Sequence, residues 1–217
     1  MVRKRSNNQN ARSPAIMSAN IPRMPRYNIR GAISDQTVLS GNRRMTHTVA
    51  AGAGHSTIPL DINAARTLDP IADVGLLYRQ FKYLPGTSYN HIPSVSLTTT
   101  GTVAVAYIDN PEQMAQWIGL TGEANRYDFV TSIGNHKSYP IWKEFSYPLT
   151  APSRRLTYDV NAVQGSLTID DYERAYQGMI LLSFAGVVPD AGTVSRAYLH
   201  QRIMLLSTQT TQHNPLM

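Results

Sequence analysis

Cysteine is absent from this sequence of 217 residues. Its absence excludes disulfide bonds, thiolate zinc sites and thiol nucleophiles, and it is compatible with a reducing compartment. No stretch approaches the run of about 18 apolar residues that a membrane-spanning helix requires, so we expect no membrane partner. The sequence also lacks an Asn-x-Ser/Thr glycosylation site, and its first residues lack the apolar segment of a secretory signal.

Motifs for catalysis are equally scarce. The six histidines show neither His-x-x-x-His nor His-Glu-x-x-His spacing, and no Gly-x-Ser-x-Gly motif occurs. Gly52 to Thr57 superficially resembles a phosphate-binding loop, but it lacks the lysine and precedes a proline-containing strand, so we interpret it as a flexible turn. Asp170 and Asp171 are followed by Glu173, a pattern more typical of a helix start than of paired catalytic carboxylates. We therefore predict that the protein is not an enzyme.

Acidic residues are missing from the first 34 positions, which contain seven basic ones. The rest of the chain has 13 basic and 14 acidic residues, so the formal net charge of +6 divides into +7 for residues 1–34 and −1 for the remainder. Such asymmetry predicts a segment that binds a polyanion and a body with another role. Beyond this segment, Arg43-Arg44 and Arg154-Arg155 either add basic surface or lie in solvated loops. The predicted nucleic-acid-binding residues are Arg3, Lys4, Arg5, Arg12, Arg23, Arg26 and Arg30.

Residues 1–14 contain almost no large apolar side chain. The polar run Ser6–Asn10 cannot offset the backbone entropy lost on ordering, so we predict a largely disordered basic arm over residues 1–34. One folded domain is predicted over residues 35–217. Tyr27 is the only aromatic residue of the arm, so binding should depend on phosphate charge and not on base recognition. Two alternative roles of the arm are a tail that only increases solubility and a nuclear-import signal at Arg3-Lys4-Arg5.

Apolar patterning predicts strands throughout the body. The first covers Val38–Val49 with a turn or bulge at Gly41-Asn42, and the second covers Ser56–Ile62, where Pro59 indicates a sheet edge. The strand over residues 95–108 is apolar on both faces, so we expect it in the centre of a sheet. The remaining strands are predicted at residues 78–84, 127–133, 139–145, 156–160, 179–188 and 194–207.

Short helices interrupt these strands. Asn110-Pro111 predicts the start of a helix that ends at Gly119, and Asp69-Pro70 predicts an earlier one. A third short helix is predicted between Asp170 and Gly178. The strand spacing is typical of a β-sandwich and not of alternating βα units. The predicted fold class is therefore all-β, with short connecting helices.

Three stretches resemble the shell domain of tombusvirus- and sobemovirus-type coat proteins. The first runs from Leu76 to Pro85. The second, from Leu97 to Asp109, joins a threonine-rich turn and a glycine to a strand of small apolar residues. The third is the pair of segments Gly178–Leu182 and Tyr198–Leu205, which is similar to the last two shell strands.

This resemblance implies an eight-stranded jelly-roll β-sandwich that assembles into a capsid with its basic arm facing inward. We expect a single-domain coat, as in the sobemovirus, necrovirus or ourmiavirus types. In similar coats, acidic residues that follow the strand corresponding to residues 95–108 bind calcium between subunits. Asp109 and Glu112 match this position. Two carboxylates fall short of the six to eight oxygen ligands of calcium, so a neighbouring subunit would have to complete the site. The alternative is a helix start in which Asn110 is the cap and Glu112 complements the helix dipole.

The leading hypothesis is a viral capsid protein that self-assembles into a non-enveloped icosahedral particle and packages a single-stranded genome through its arm. Its partners would be copies of itself and viral single-stranded RNA, although phosphate charge alone does not distinguish RNA from DNA. We expect it in the virion and the host cytoplasm, with nuclear import left open. The alternative hypothesis is a viral nucleic-acid-binding protein that forms no shell, such as an RNA chaperone or a silencing suppressor.

Overall fold

A computed structural model describes residues 36–49, 52–61, 80–95, 97, 99–149, 158–159, 168–169, 172, 176–188 and 192–206. Within these ranges the chain forms ten strands and two helices whose bounds are described in full. Ile169 and Tyr172, in or beside the third predicted helix, are also helical, and Tyr172 N donates to Thr168 O at 3.1 Å. No helix in these ranges is long and apolar enough to span a membrane. The elements are β1 (Gln36–Val49), β2 (Gly52–Pro59), β3 (Gln80–Tyr83), β4 (Ser88–Pro93), β5 (Thr100–Ile108), α1 (Pro111–Gly119), α2 (Glu123–Ser132), β6 (Lys137–Pro140), β7 (Phe145–Pro148), β8 (Tyr158–Asp159), β9 (Met179–Val188) and β10 (Gly192–Leu206).

The strands form two antiparallel sheets. The six-stranded sheet has the order β7-β4-β10-β3-β8, and β1 pairs with the other side of β10. The four-stranded sheet has the order β2-β9-β5-β6. Both β3 and β4 pair with β10, at Ile203–Leu206 and Ser195–His200 respectively, so these two short strands together occupy the place of one long strand. The predicted jelly-roll β-sandwich is thereby confirmed.

The main hydrophobic core lies between the two sheets. The six-stranded sheet contributes inward residues such as Tyr89 and Leu199, and the four-stranded sheet contributes residues such as Val105 and Leu182. A second cluster lies on the other face of the four-stranded sheet, where helix α1 covers it with Trp117. Strand β5 serves both clusters, because Val103, Val105 and Tyr107 alternate with Ala104, Ala106 and Ile108 and all six are buried. This arrangement confirms that β5 is a central strand with two apolar faces.

The prediction of a strand over residues 127–133 is wrong, because this segment lies largely in helix α2. Its apolar residues Tyr127, Val130 and Ile133 recur every three positions and pack against the second cluster. Gly122 has a φ of 82°, which lets the chain leave α1 and turn into α2. A short apolar run satisfies the strand and helix periods almost equally well, and here contact with the sheet favours the helix.

Other predicted boundaries also shift. The segment 139–145 is divided between β6 and β7, which belong to different sheets, because the chain turns after Pro140 where Lys143 N donates to Pro140 O at 3.0 Å. The bulge in β1 lies between His47 and Thr48 and not at Gly41-Asn42. Residues 52–57 lie in β2, so the predicted flexible turn is wrong, whereas β2 is an edge strand as Pro59 indicated. The helix predicted at Asp69-Pro70 lies outside the described residues.

Candidate functional site

The first described residue, Gln36, lies shortly after the predicted basic arm. Gln36, the first residue of β1, is in register with Leu206, the last residue of β10. Leu206 is also in register with Gln80, the first residue of β3. The arm is therefore attached at the end of the six-stranded sheet where β10 terminates. The seven basic residues of the arm lie outside the described residues, so their role stays a prediction.

The adjacent arginines Arg43 and Arg44 of β1 have different environments. Alternation along the strand directs Arg43 into the domain, where it is 4% exposed, and directs Arg44 to the surface. The Arg43 Nη1 atom lies 3.5 Å from Asp61 Oδ1, and Nη2 donates to Pro59 O at 3.0 Å. Because its guanidinium is buried against Asp61, Arg43 cannot add to the basic surface, whereas Arg44 does. Arg154-Arg155 lies outside the described residues.

A buried polar network extends from this ion pair and connects the two sheets. The Tyr83 hydroxyl lies 3.1 Å from Asp61 O and 3.0 Å from Gln201 Oε1. The Gln177 side chain accepts from Tyr83 N and donates to Tyr83 O at 3.3 Å, so it pairs with the backbone of β3. Buried polar groups of this kind stabilise a fold only while their partners remain in place. The network therefore has a structural role at the end of the sandwich.

The predicted calcium ligands Asp109 and Glu112 stand at the junction of β5 and α1. Asn110 caps the helix, because its side-chain oxygen accepts from Glu112 N at 2.9 Å, and Pro111 occupies the first turn. The helix start predicted as the alternative is thus present. Asp109 is half-buried and Glu112 is exposed. Among the described residues no group of three or more Asp, Glu or His side chains could hold a metal ion. The carboxylates have the hard oxygen donors that calcium prefers, but calcium binding would need ligands from a neighbouring subunit.

Two histidines lie deep in the main core, and no motif spacing in the sequence predicted them. His47 of β1 and His91 of β4 are 3% and 0% exposed. The Tyr89 hydroxyl lies 3.0 Å from His47 Nε2 and 3.1 Å from His91 Nδ1, so it can donate to one imidazole and accept from the other. His47 Nδ1 lies 2.9 Å from Ser56 Oγ of β2. We call His47, Ser56, Tyr89 and His91 the histidine cluster.

The histidine cluster favours neutral imidazoles. Burial, and to a smaller extent the neighbouring His91 as a second positive charge, lowers the pKa of His47 to about 4. Burial likewise lowers the pKa of His91 to about 4, an effect that the backbone of Ile141 opposes. The His91 ring stacks on Phe145, with ring centroids 4.8 Å apart. No carboxylate forms an ion pair with either histidine in the part of the chain that the structure describes. The cluster therefore has polar contacts but no counter-charge.

Comparison with known proteins identifies the class of fold. The structure of tobacco necrosis virus matches with a TM-score of 0.62 and 13% identity, over 79% of this chain and 96% of that one. A semi-empty VLP of Macrobrachium rosenbergii nodavirus matches with a TM-score of 0.60 and 16% identity, over 82% and 88%. The T=1 subviral particle of a Penaeus vannamei nodavirus capsid protein deletion mutant matches with a TM-score of 0.58 and 10% identity, over 79% and 97%. Neither a protein-family model nor a curated protein sequence matches the chain.

These similarities define the class by fold. The chain has the jelly-roll shell fold of small-virus coat proteins, and the shared fold spans nearly the whole of the tobacco necrosis virus chain. The predicted resemblance to tombusvirus- and sobemovirus-type shells is confirmed at the level of the fold, with cucumber necrosis virus and cocksfoot mottle virus also among the similar structures. At such low identities the fold alone is shared.

Proposed function

We propose that the protein is a capsid protein that assembles with copies of itself into a virus particle and packages single-stranded RNA through its basic arm. The observation that carries the proposal is the shared fold, which extends over 79% of this chain and almost all of the tobacco necrosis virus chain. The similar structures include a VLP and a subviral particle, which supports self-association. A structural role as a coat, and not catalysis, accounts for this fold and for the absence of catalytic motifs from the sequence.

The surface of the folded domain supports contacts between subunits. Several large apolar side chains are exposed although the two cores are well filled, and Leu97 is 78% exposed. Ile118 on α1 and Trp142 after β6 are half or nearly half exposed. Aromatic and large apolar residues at a surface are typical of protein interfaces. Burial of such residues against neighbouring copies would stabilise a shell.

The basic arm supports the packaging role. Each cation that neutralises a phosphate of a single strand contributes about −0.7 to the slope of log K against log salt concentration. Seven engaged arm cations would give a slope of roughly −5. The locations that follow from this function are the virion and the host cytoplasm. Calcium at Asp109 and Glu112 would join neighbouring subunits. An arm that only solubilises the protein would give no such salt dependence.

Co-assembly with RNA tests this proposal. We expect the full chain to form particles that sediment with RNA, and a variant with all seven arm cations replaced by glutamine to form empty or smaller particles. The matched control is an arm with the same residues in shuffled order, which keeps the charge and should still package RNA because phosphate binding does not depend on order. Full packaging by the neutralised arm, or loss of packaging by the shuffled arm, would contradict the proposed mechanism.

A further inference from the structure

The outer face of β10 presents a row of polar and basic side chains. Along this strand Ser195, Ala197, Leu199, Gln201 and Ile203 are buried, so the residues between them are directed away from the core. Successive outward residues of a strand are roughly 6.6 Å apart. The row has an arginine at each end and an aromatic ring between them: Arg196, Tyr198, His200 and Arg202.

Strand register places further cations beside this row. Arg44 of β1 is in register with Tyr198, and Lys82 of β3 is in register with Met204, two residues beyond Arg202. Residues in register on neighbouring antiparallel strands have their side chains on the same face of the sheet. His200 Nδ1 also lies 2.9 Å from Asn42 Oδ1 of β1. We call Arg44, Lys82, Arg196, Tyr198 and Arg202 the basic face.

Acidic residues are absent from the strands that form the basic face. Neither β1, β3, β4 nor β10 contains an aspartate or a glutamate. Asp159 of β8, in register with Gln80, is the one acidic residue of the described strands. Asp159 lies on the edge strand next to β3, away from β1 and from residues 195–200 of β10, where the charged side chains are all cations. Cations that share a face with few carboxylates produce a positive potential that attracts a polyanion. Arg44, Arg196 and Arg202 are exposed, so their guanidinium groups are available to a ligand.

We propose that the basic face is a second binding surface for single-stranded nucleic acid, distinct from the arm. This inference deepens the proposed capsid function and rests on it. The guanidinium groups of Arg44, Arg196 and Arg202 pair with phosphates, and the Tyr198 ring lies between them as a surface on which a base stacks. Phosphate pairing and ring stacking do not distinguish one base from another, so we expect these contacts to be independent of the base. Binding there holds the nucleic acid on the folded domain, in addition to the binding proposed for the arm.

The salt dependence of binding tests the basic face directly. The probe is an unstructured oligouridylate, titrated with the full chain at several salt concentrations. The double variant Arg196→Gln/Arg202→Gln should reduce the magnitude of the salt slope by about 1.4, because two phosphate contacts are lost. The matched control, Lys137→Gln/Lys143→Gln, removes two exposed charges near the edge of the other sheet and should leave the slope unchanged. Equal slopes for the two double variants would overturn the proposal.

Tyr198 offers a second, non-ionic measurement. Tyr198→Leu should weaken binding at least about fivefold without changing the salt slope, because stacking involves no counterion release. Tyr198→Phe keeps the ring and should bind like the unchanged protein. An equal loss for both substitutions, or no loss for Tyr198→Leu, would contradict a stacking role.

The arm and the basic face can be separated in the same assay. With the seven arm cations replaced by glutamine, the four cations of the basic face should leave a slope of roughly −2.8. Complete loss of binding would overturn the basic face and leave the arm proposal standing. A slope unchanged by neutralising the arm would overturn the arm proposal and leave the basic face standing.

Discussion

The histidine cluster predicts that the folded domain loses stability as the pH falls from 8 to 5. His47 and His91 have pKa values of about 4 in the folded protein, against 6.5 for a histidine in an unfolded chain. Between these values the unfolded chain binds protons that the folded protein does not, so protons favour unfolding. At about pH 8 almost no imidazole is protonated in either state, and the stability is fully present there.

The size of the effect follows from the two pKa values. At pH 5 an imidazole with a pKa of 6.5 is almost fully protonated, whereas one with a pKa of about 4 is mostly neutral. This difference in proton binding lowers the free energy of unfolding by roughly 2 kcal/mol per histidine relative to pH 8. Two such histidines would remove a large part of the roughly 5–15 kcal/mol that stabilises a typical domain.

Urea-induced unfolding of the dissociated full chain at pH 8 and pH 5 measures this loss, with the fluorescence of the buried Trp117 as one reporter. His91→Phe keeps a ring against Phe145 and removes one titrating group, so the loss between the two pH values should fall by about half. His136→Gln removes an exposed imidazole and is the matched control. If both variants lose as much stability as the unchanged protein, the buried imidazoles are not responsible for its pH dependence.

Three further predictions concern particular residues. Asp61→Ala leaves the buried Arg43 guanidinium without its carboxylate and should lower the free energy of unfolding by roughly 3–5 kcal/mol. Glu144→Ala at the exposed surface is the control and should have little effect. Equal losses for the two variants in urea unfolding would contradict the buried ion pair. Gly101 has a φ of 125°, and a Cβ atom there would lie 3.0 Å from Ala185 O, so Gly101→Ala should cost roughly 2–5 kcal/mol. Gly119→Ala, where a Cβ meets nothing within 4 Å, is its control, and a neutral Gly101→Ala would refute the close approach of β5 and β9. Chelation with EDTA near neutral pH should loosen assembled particles, and Asp109→Asn particles should sediment like chelated ones; unchanged sedimentation in both experiments would count against calcium.

Much of the fold could be predicted because local patterns and long-range packing agree. Asn110-Pro111 was enough to predict the start of α1, because the helix cap and the first turn depend only on neighbouring residues. The two apolar faces of β5 required burial on both sides, which the core and the helices provide. Pro59 indicated an edge strand because it cannot donate a ladder hydrogen bond.

The incorrect predictions depend on partners that are distant in the sequence. The apolar residues of α2 fit either period, and only the second cluster beneath them determines the helix. β6 and β7 are separated by four residues, yet they belong to different sheets, which no local pattern specifies. Arg43 pairs with Asp61 across the sandwich, and His47 and His91 meet at Tyr89 because β1 and β4 share one sheet. Alternation along β1 does place Arg43 and His47 on the inward face with Leu39. The odd-numbered positions they share with Leu39 were the one local signal that these two side chains are buried.

Self-assembly is the central claim, and electron microscopy of the purified full chain tests it most directly. The protein should be imaged with and without single-stranded RNA over a range of salt concentrations and pH values. The shared jelly-roll fold and the basic arm predict uniform closed particles, formed most readily when RNA is present. A monodisperse small oligomer under every condition would contradict the capsid function.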